Sequence, residues 1–517
     1  MTEIRRHFIT VGGRQQHYRR CGKGPAIVLL HESPRSSVAL LPLIEKLGDG
    51  FTIFALDTPG YGGSDPLPHG RPEIEDYADA LADTFDALGI KRAPVYGTHT
   101  GALIAFEFAR RHRARCSACV LDGFPVFTPN EREQYLASYL PPFRPEPQGA
   151  HMAWLWSRVR DQFRFFPWND RGDGARLSIP FPPPERLHLV AMDFLAAGDD
   201  YRTGYAAAFR HNTVAALATL DVPIIAAARE DDLLFEHLDR MPALPEGSRI
   251  VRLTADRDAW GAALRGIFQD SAEDEAPALV PTRALPARPT RSFRHSADGA
   301  TLVRAMAGGS GRPLVLLHHV PGGSSDFGDA MLRATSRPVY AIDLAGCGDS
   351  DRLGDAATLA DHAATIGRTL DDLGLGEVDV AGDGIGAAVT AAMAAANPKR
   401  YPSVTVANVP IAGATLPPAL APEMFGEHMV RAWHAVRDDA IHGLWCARDP
   451  KRHHRFGSEL DTEGLHRRAV DALKSAGALD LCKAALAAPV RFPAGSEVLS
   501  GTTPLAERMT AHVGADA

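Results

Sequence analysis

A glycine-bracketed turn, Gly97-Thr98-His99-Thr100-Gly101, puts an imidazole between an apolar strand run and a helical pattern. Histidine changes charge near neutral pH, so His99 can serve there as a general base or a nucleophile once a carboxylate orients it. Carboxylates stand at the ends of other strand runs. Asp231 and Asp232 sit in the turn Arg229-Glu230-Asp231-Asp232 after residues 223–228, and Asp122 closes a run in VLDGFP. Metal chemistry has less behind it. His31, His99 and Asp122 lie on separate segments, and no H-E-x-x-H, H-x-H or paired C-x-x-C spacing occurs, so no metal is expected. Cys116 and Cys119 spell C-x-x-C without a second pair and read as two thiols at the start of a buried strand.

These residues need a scaffold, and the patterning supplies one. Short apolar runs at 26–30, 52–56, 118–121, 223–228 and 249–253 alternate with amphipathic stretches such as 74–88. That alternation predicts a mostly parallel sheet flanked by helices, an α/β fold. From about 127 to 220 the pattern changes to aromatic-rich helical segments with proline breaks, read as a helical lid over the C-terminal edge of the sheet.

The chain has 517 residues, more than one hydrophobic core ordinarily serves, and its two halves carry the same features in the same order. VLLHESPRSS with His31 is matched by VLLHHVPGGSS with His318. FALDTPGYGGSDP is matched by YAIDLAGCGDSDR, and VYGTHTGA by VAGDGIGA. HMAWLWSRVRD from His151 and HMVRAWHAVRD from His428 share His, Trp, Arg and Asp at identical spacing. Two domains are expected, 1–270 and 293–517. The second has its lid at about 412–486, and a Pro- and Ala-rich linker at 271–292 joins the two.

The order of strand-HxxP loop, DxxGxGxSD loop and strand-GxxxG-helix turn resembles the α/β-hydrolase superfamily, above all its lidded branch of epoxide hydrolases, dehalogenases and C–C-bond hydrolases. The resemblance runs through both halves. It implies that His99 stands where those enzymes carry a serine or aspartate nucleophile on a strained elbow, and that Gly384 of Gly382-Asp383-Gly384-Ile385-Gly386 holds that place in the second half. It implies an acid at Asp231 or Asp232, with Asp122 an alternative, and oxyanion donors from the backbone N–H of Thr100 and of Glu32 or Ser33 after His31. It also makes His31 a packing residue of the oxyanion loop. His151, Trp156 and Arg160 become pocket-facing lid residues, Arg160 a carboxylate clamp or one side of an ion pair. The usual catalytic histidine is missing from Thr254-Ala255-Asp256-Arg257-Asp258-Ala259-Trp260. In the second half, SEVLSGTTPLAERMTAHV reads as the last strand and helix alone, so that copy is expected to lack nucleophile, acid and base together.

Net charge is −8, from 55 basic and 63 acidic residues, which leaves no basic footprint for nucleic acid. Six sparse cysteines suit a reducing compartment, and no stretch approaches the roughly twenty apolar residues of a membrane span, so a cytoplasmic protein is expected. The expectation is a cofactor-independent enzyme acting on a small carbonyl-containing or activated substrate in the first domain, with a non-catalytic second copy. A ligand- or partner-binding pseudoenzyme and a lyase or isomerase on the same fold are its rivals. A small-molecule substrate is the expected partner, with self-association left open.

Overall fold

The computed structural model describes residues 3–333, 336–448, 460–475 and 478–499. They fall into two compact units: Met1–Arg144 with Ser157–Arg283, and Pro145–Trp156 with Ala284–Ala517.

In the first unit the strands are β1 (Arg5–Val11), β2 (Arg14–Gly22), β3 (Ala26–Leu30), β4 (Thr52–Leu56), β5 (Ala93–Thr98), β6 (Cys116–Asp122), β7 (Ile225–Arg229) and β8 (Arg249–Leu253). They form one sheet in the order β1-β2-β4-β3-β5-β6-β7-β8. The β1–β2 hairpin and the β2–β4 pair are antiparallel, and the rest are parallel. Side chains alternate across a strand, so β3 supplies both faces: Val28 and Leu30 enter the core under helices Ile74–Leu88 and Thr100–Arg111, while Ile27 and Leu29 enter the one shared with helix Arg257–Ser271. Helix Ile74–Leu88 has the predicted bounds, opening on a Glu73/Asp76 capping box and ending at left-handed Gly89. Between β6 and β7 the chain is helical, with helices such as Pro129–Ser138, Pro184–Ala197 and Tyr201–Arg210.

The second unit has β9 (Thr290–Ser296), β10 (Gly299–Met306), β11 (Leu314–Leu317), β12 (Val339–Ile342), β13 (Asp379–Asp383), β14 (Val404–Ala407) and β15 (Glu497–Leu499). Their order, β15-β14-β13-β11-β12-β10-β9, repeats that of β7 back to β1. The alternation repeats too, with Val315 and Leu317 facing one core and Leu314 and Leu316 the other.

Two boundaries differ from expectation. Regular structure resumes at Thr290, inside the predicted linker, and residues 274–283 lie along the first unit: Ala26 N–H donates to Asp274 O, Thr282 Oγ1 to Phe8 O and Thr10 Oγ1 to Arg283 O. The SEVLS strand, expected as the counterpart of the first unit's last strand, stands in the place of β7 instead. β15 pairs in parallel with β14, the place β7 holds beside β6, and the helix expected after it lies outside the described residues. Among the described residues no helix is long and apolar enough to cross a membrane, and all six cysteines are free thiols.

Candidate functional site

Strand β5 ends at Thr98, helix Thr100–Arg111 begins at once, and His99 between them is held at φ 49°, ψ −110°. A non-glycine residue there is strained, and its neighbours impose the bend. A Cβ on Gly97 would stand 2.0 Å from Gly101 O, and one on Gly101 would stand 2.6 Å from Leu30 O, so both glycines are needed for strand, turn and helix to pack this closely. The His99 N–H is tied to Asp122 O at 3.0 Å, which projects the side chain beyond the strand ends.

Of the three candidate acids, one meets the imidazole. His99 Nε2 lies 3.1 Å from both Asp232 Oδ1 and Oδ2, and Asp232 is fixed by the Leu234 amide at 2.8 Å. Asp231 points elsewhere, held by Arg229 Nε at 2.9 Å and Arg257 Nη2 at 3.1 Å. Asp122 is buried and receives Tyr96 Oη at 2.7 Å and Trp260 Nε1 at 2.9 Å on Oδ2. Trp260 thus occupies the segment where the catalytic histidine was missing. Gly123, at φ 61°, leaves the room the pair uses: a Cβ there would lie 2.5 Å from His99 Cδ2 and 3.0 Å from Asp232 Oδ1.

The His99 side chain is 27% exposed and that of Asp232 12%. Burial disfavours the imidazolium, but the charge and hydrogen bond of Asp232 outweigh it, with Glu32 and Asp122 adding to the effect, and the His99 pKa rises to about 9. Burial likewise works against the Asp232 carboxylate, yet His99 and the Leu234 amide bring its pKa down to about 2. Burial and the Asp232 charge raise Asp122. The pairing with Asp232 thus favours the protonated imidazole at the elbow.

The other predicted residues divide. His31 is buried with both ring nitrogens engaged, Nδ1 with Glu32 O at 2.8 Å and Nε2 with the Thr58 amide at 2.9 Å. Ser33 is buried, precedes a cis proline, and donates to Tyr61 Oη at 3.1 Å. Thr100 is the first residue of its helix, where backbone N–H groups have no intrahelical acceptor. The Glu32 carboxylate is 26% exposed and 3.6 Å from Arg35. His151 and Trp156 belong to the second unit. His151 accepts the Glu146 amide and meets Trp433 edge-on at 4.6 Å; Trp156 donates to Met424 O and meets His428 edge-on at 4.8 Å. Arg160 lies over the Phe181 ring, and Asp161 forms an ion pair with Arg171.

Sequence reasoning missed Gly123, quoted but given no role, and a clasp from the oxyanion loop to the lid. Asp193 of helix Pro184–Ala197 accepts Arg35 Nε at 2.7 Å and Ser36 Oγ at 2.6 Å. In the second unit Asp471 is bonded in a comparable way by Ser325.

In the second unit the bend recurs at Gly384, φ 52°, ψ −120°. The space beyond it is filled: a Cβ on residue 384 would stand 2.1 Å from His319 Nδ1, and Asn408, at φ 48°, donates to Asp383. Among the described residues one trio can offer a metal three ligands, Glu75, Glu107 and His211, but Glu107 is already bonded by Arg110 and His211.

The family described as alpha/beta hydrolase fold matches residues 25–146 and 312–436. The chain is 34% identical over 102 residues to an uncharacterized protein of Mycobacterium tuberculosis, covering 20% of this chain and 30% of that one. It is 32% identical over 112 residues to the soluble epoxide hydrolase of a Corynebacterium, covering 22% and 39%. The epoxide hydrolase A structure from Mycobacterium thermoresistibile aligns with 52% of this chain and 99% of its own, at 19% identity and a TM-score of 0.42. The chain thus spans about a third of the curated relatives it matches. Two mostly parallel sheets flanked by helices, with that family matched in two regions, define an α/β-hydrolase fold.

Proposed function

We propose that the chain is a tandem pair of α/β-hydrolase-type domains whose first copy is a cofactor-independent enzyme of the hydrolase type, acting on a small carbonyl-containing or otherwise activated substrate. In this reading His99 replaces the usual nucleophile, and the second copy is non-catalytic. One observation carries it: an imidazole on the strained bend, its Nε2 3.1 Å from both oxygens of Asp232.

With Nε2–H given to Asp232, the Nδ1–H of the imidazolium remains for a substrate oxygen. Among the described residues no protein acceptor binds Nδ1. A positive charge and a donor aimed at a carbonyl or ring oxygen stabilise the negative charge that develops there, and the backbone N–H groups of Thr100 and Glu32 reinforce them. Each such donor is worth roughly 3–4 kcal/mol of barrier. The role is that of acid and electrostatic stabiliser. Curated relatives named epoxide hydrolase and haloalkane dehalogenase support the hydrolase class. The same charge favours a second reading, lyase or isomerase, because an imidazolium has no lone pair with which to form a covalent intermediate.

The test is turnover by the full chain on small esters, lactones, epoxides and β-diketones, beside His99→Gln. Turnover lost in the variant supports the proposal. Turnover unchanged in the variant refutes it, as does a bound ligand that raises Tm and is never consumed, the outcome expected of a binding protein.

A further inference from the structure

An acid at the elbow needs a base to generate the attacking group, and Asp232, tied to the ring, is not free for that role. The two copies together indicate where to look. Their oxyanion loops follow one path: His31 and His318 each bond the carbonyl of the next residue through Nδ1 and accept an amide through Nε2, and both loops turn on a cis proline, Ser33-Pro34 and Val320-Pro321. Ser37 and Ser324 donate their amides to Asp57 and Asp343. Each loop presses on the elbow helix at the same place. A Cβ on Gly101 would stand 2.7 Å from His31 O, and one on Gly386 would stand 2.5 Å from His318 O.

The residue after the loop histidine is therefore placed alike in both copies. In the second it is His319, whose Nδ1 accepts the Ile385 amide at 3.4 Å and fills the space above Gly384. In the first it is Glu32. A side chain from that position reaches the elbow in the second copy, and Glu32 has the length to do the same. Its carboxylate has no hydrogen-bond partner among the described residues; the nearest cation is Arg35 Nη1 at 3.6 Å. Its charge is among those that raise the His99 pKa.

We propose that the Glu32 carboxylate is the general base of the first unit's site, activating water for attack on the substrate beside His99. The assignment rests on the reading of that unit as an enzyme. A Glu32 oxygen takes a proton from water as the water oxygen bonds to the electrophilic carbon. The carbon–oxygen electron pair moves onto the substrate oxygen, which takes the Nδ1 proton of His99. Charge balances: one carboxylate and one imidazolium become a carboxylic acid and a neutral imidazole; as the adduct collapses the carbonyl re-forms, its hydroxyl proton returns to His99, the bond from carbon to the leaving group breaks and the Glu32 carboxylic acid protonates that group. The titratable groups whose electrostatics include Glu32 are Arg35, His99 and the neutral phenols Tyr96 and Tyr205.

The experiment compares the full chain with Glu32→Gln and Glu32→Asp, checking folding by circular dichroism. It follows the pH–rate profile on whichever panel substrate is turned over and the titration of His99 by NMR. In Glu32→Gln, kcat is expected to fall at least about a hundredfold with KM within about threefold, and the acid limb of the profile to vanish. Glu32→Asp should recover part of the rate. Turnover near that of the parent with its acid limb intact overturns the assignment. If the parent turns over nothing, the enzyme reading falls, and the NMR arm still decides where Glu32 lies. A His99 pKa lowered in Glu32→Gln keeps the carboxylate at the elbow, and an unchanged one removes it.

Discussion

Gly384 and His319 compete for one space: a Cβ on residue 384 would stand 2.1 Å from His319 Nδ1. The glycine at the second elbow is thus the counterpart of a ring that took its place. Gly384→Ser alone is expected to lower stability by roughly 2–5 kcal/mol, from overpacking and from a side chain at φ 52°. Gly384→Ser with His319→Gly should recover the overpacking share. Equal Tm losses in the single and double variants would show that the ring is not the obstacle.

Gly123 plays the opposite part in the first unit, leaving space that the dyad uses. A methyl group there meets His99 Cδ2 at 2.5 Å and Asp232 Oδ1 at 3.0 Å. Gly123→Ala is expected to push the two apart, lowering the His99 pKa and cutting turnover at least about tenfold, since small misplacements of reacting groups are costly. Asn408 holds the matching position at φ 48°, so the backbone tolerates a side chain and the damage should be local. An NMR titration of His99 that matches the parent would contradict this.

How far the sequence discloses this molecule follows from where its physics is local. Strands β3, β4 and β8 and helix 74–88 match their predicted bounds, because apolar period and capping residues lie within the segment itself. The hairpin strand Arg14–Gly22, RQQHYRRCG, has no apolar alternation; β4 beside it and polar partners bury it, as when Gln16 Nε2 donates to Asp57 O at 3.2 Å and His17 Nδ1 meets Asp57 Oδ2 at 2.7 Å. At the site, motif order gave the bend and a short set of acids. Which acid meets His99 depends on side-chain directions across three strands, and the pattern is silent on those. The charge on His99 is a balance of burial against Asp232 that only assembled geometry sets. SEVLS was misplaced because three strand residues carry no mark of which neighbour they pair with.

The His99–Asp232 pair makes stability depend on pH at both ends. His99 rises from 6.5 to about 9 on folding, so its contribution is complete below pH 6.5 and is lost as pH climbs through 9. Asp232 falls from 3.8 to about 2, so its contribution is complete above pH 3.8 and is lost as pH drops through 2. The shared interaction is counted once and is fullest between about pH 4 and 6.5. In Asp232→Asn the charge is gone and burial remains, so the His99 pKa should fall well below that of the parent and the alkaline loss of Tm should shrink. A ring still titrating near 9 in that variant would place the source of its charge elsewhere.

The lid clasp offers a test independent of chemistry. Asp193 is buried and holds Arg35 Nε at 2.7 Å and Ser36 Oγ at 2.6 Å, joining the oxyanion loop to helix Pro184–Ala197. Removing one partner of such a pair leaves the other charge in a poorly solvated place, so Asp193→Ala is expected to cost roughly 3–5 kcal/mol. Arg35→Met with Asp193→Leu should cost less than Asp193→Ala alone, because no charge is then stranded. Because the clasp bears on Glu32 through Arg35, Asp193→Ala should also change the rate, whereas Asp471→Ala, its counterpart beside Ser325, should lower Tm and leave turnover as it was. Limited proteolysis within residues 184–210 reads the loosened lid directly. A cleavage rate equal to the parent's would mean the helix is held by its apolar face, Leu187, Val190, Ala191 and Phe194, without help from the ion pair.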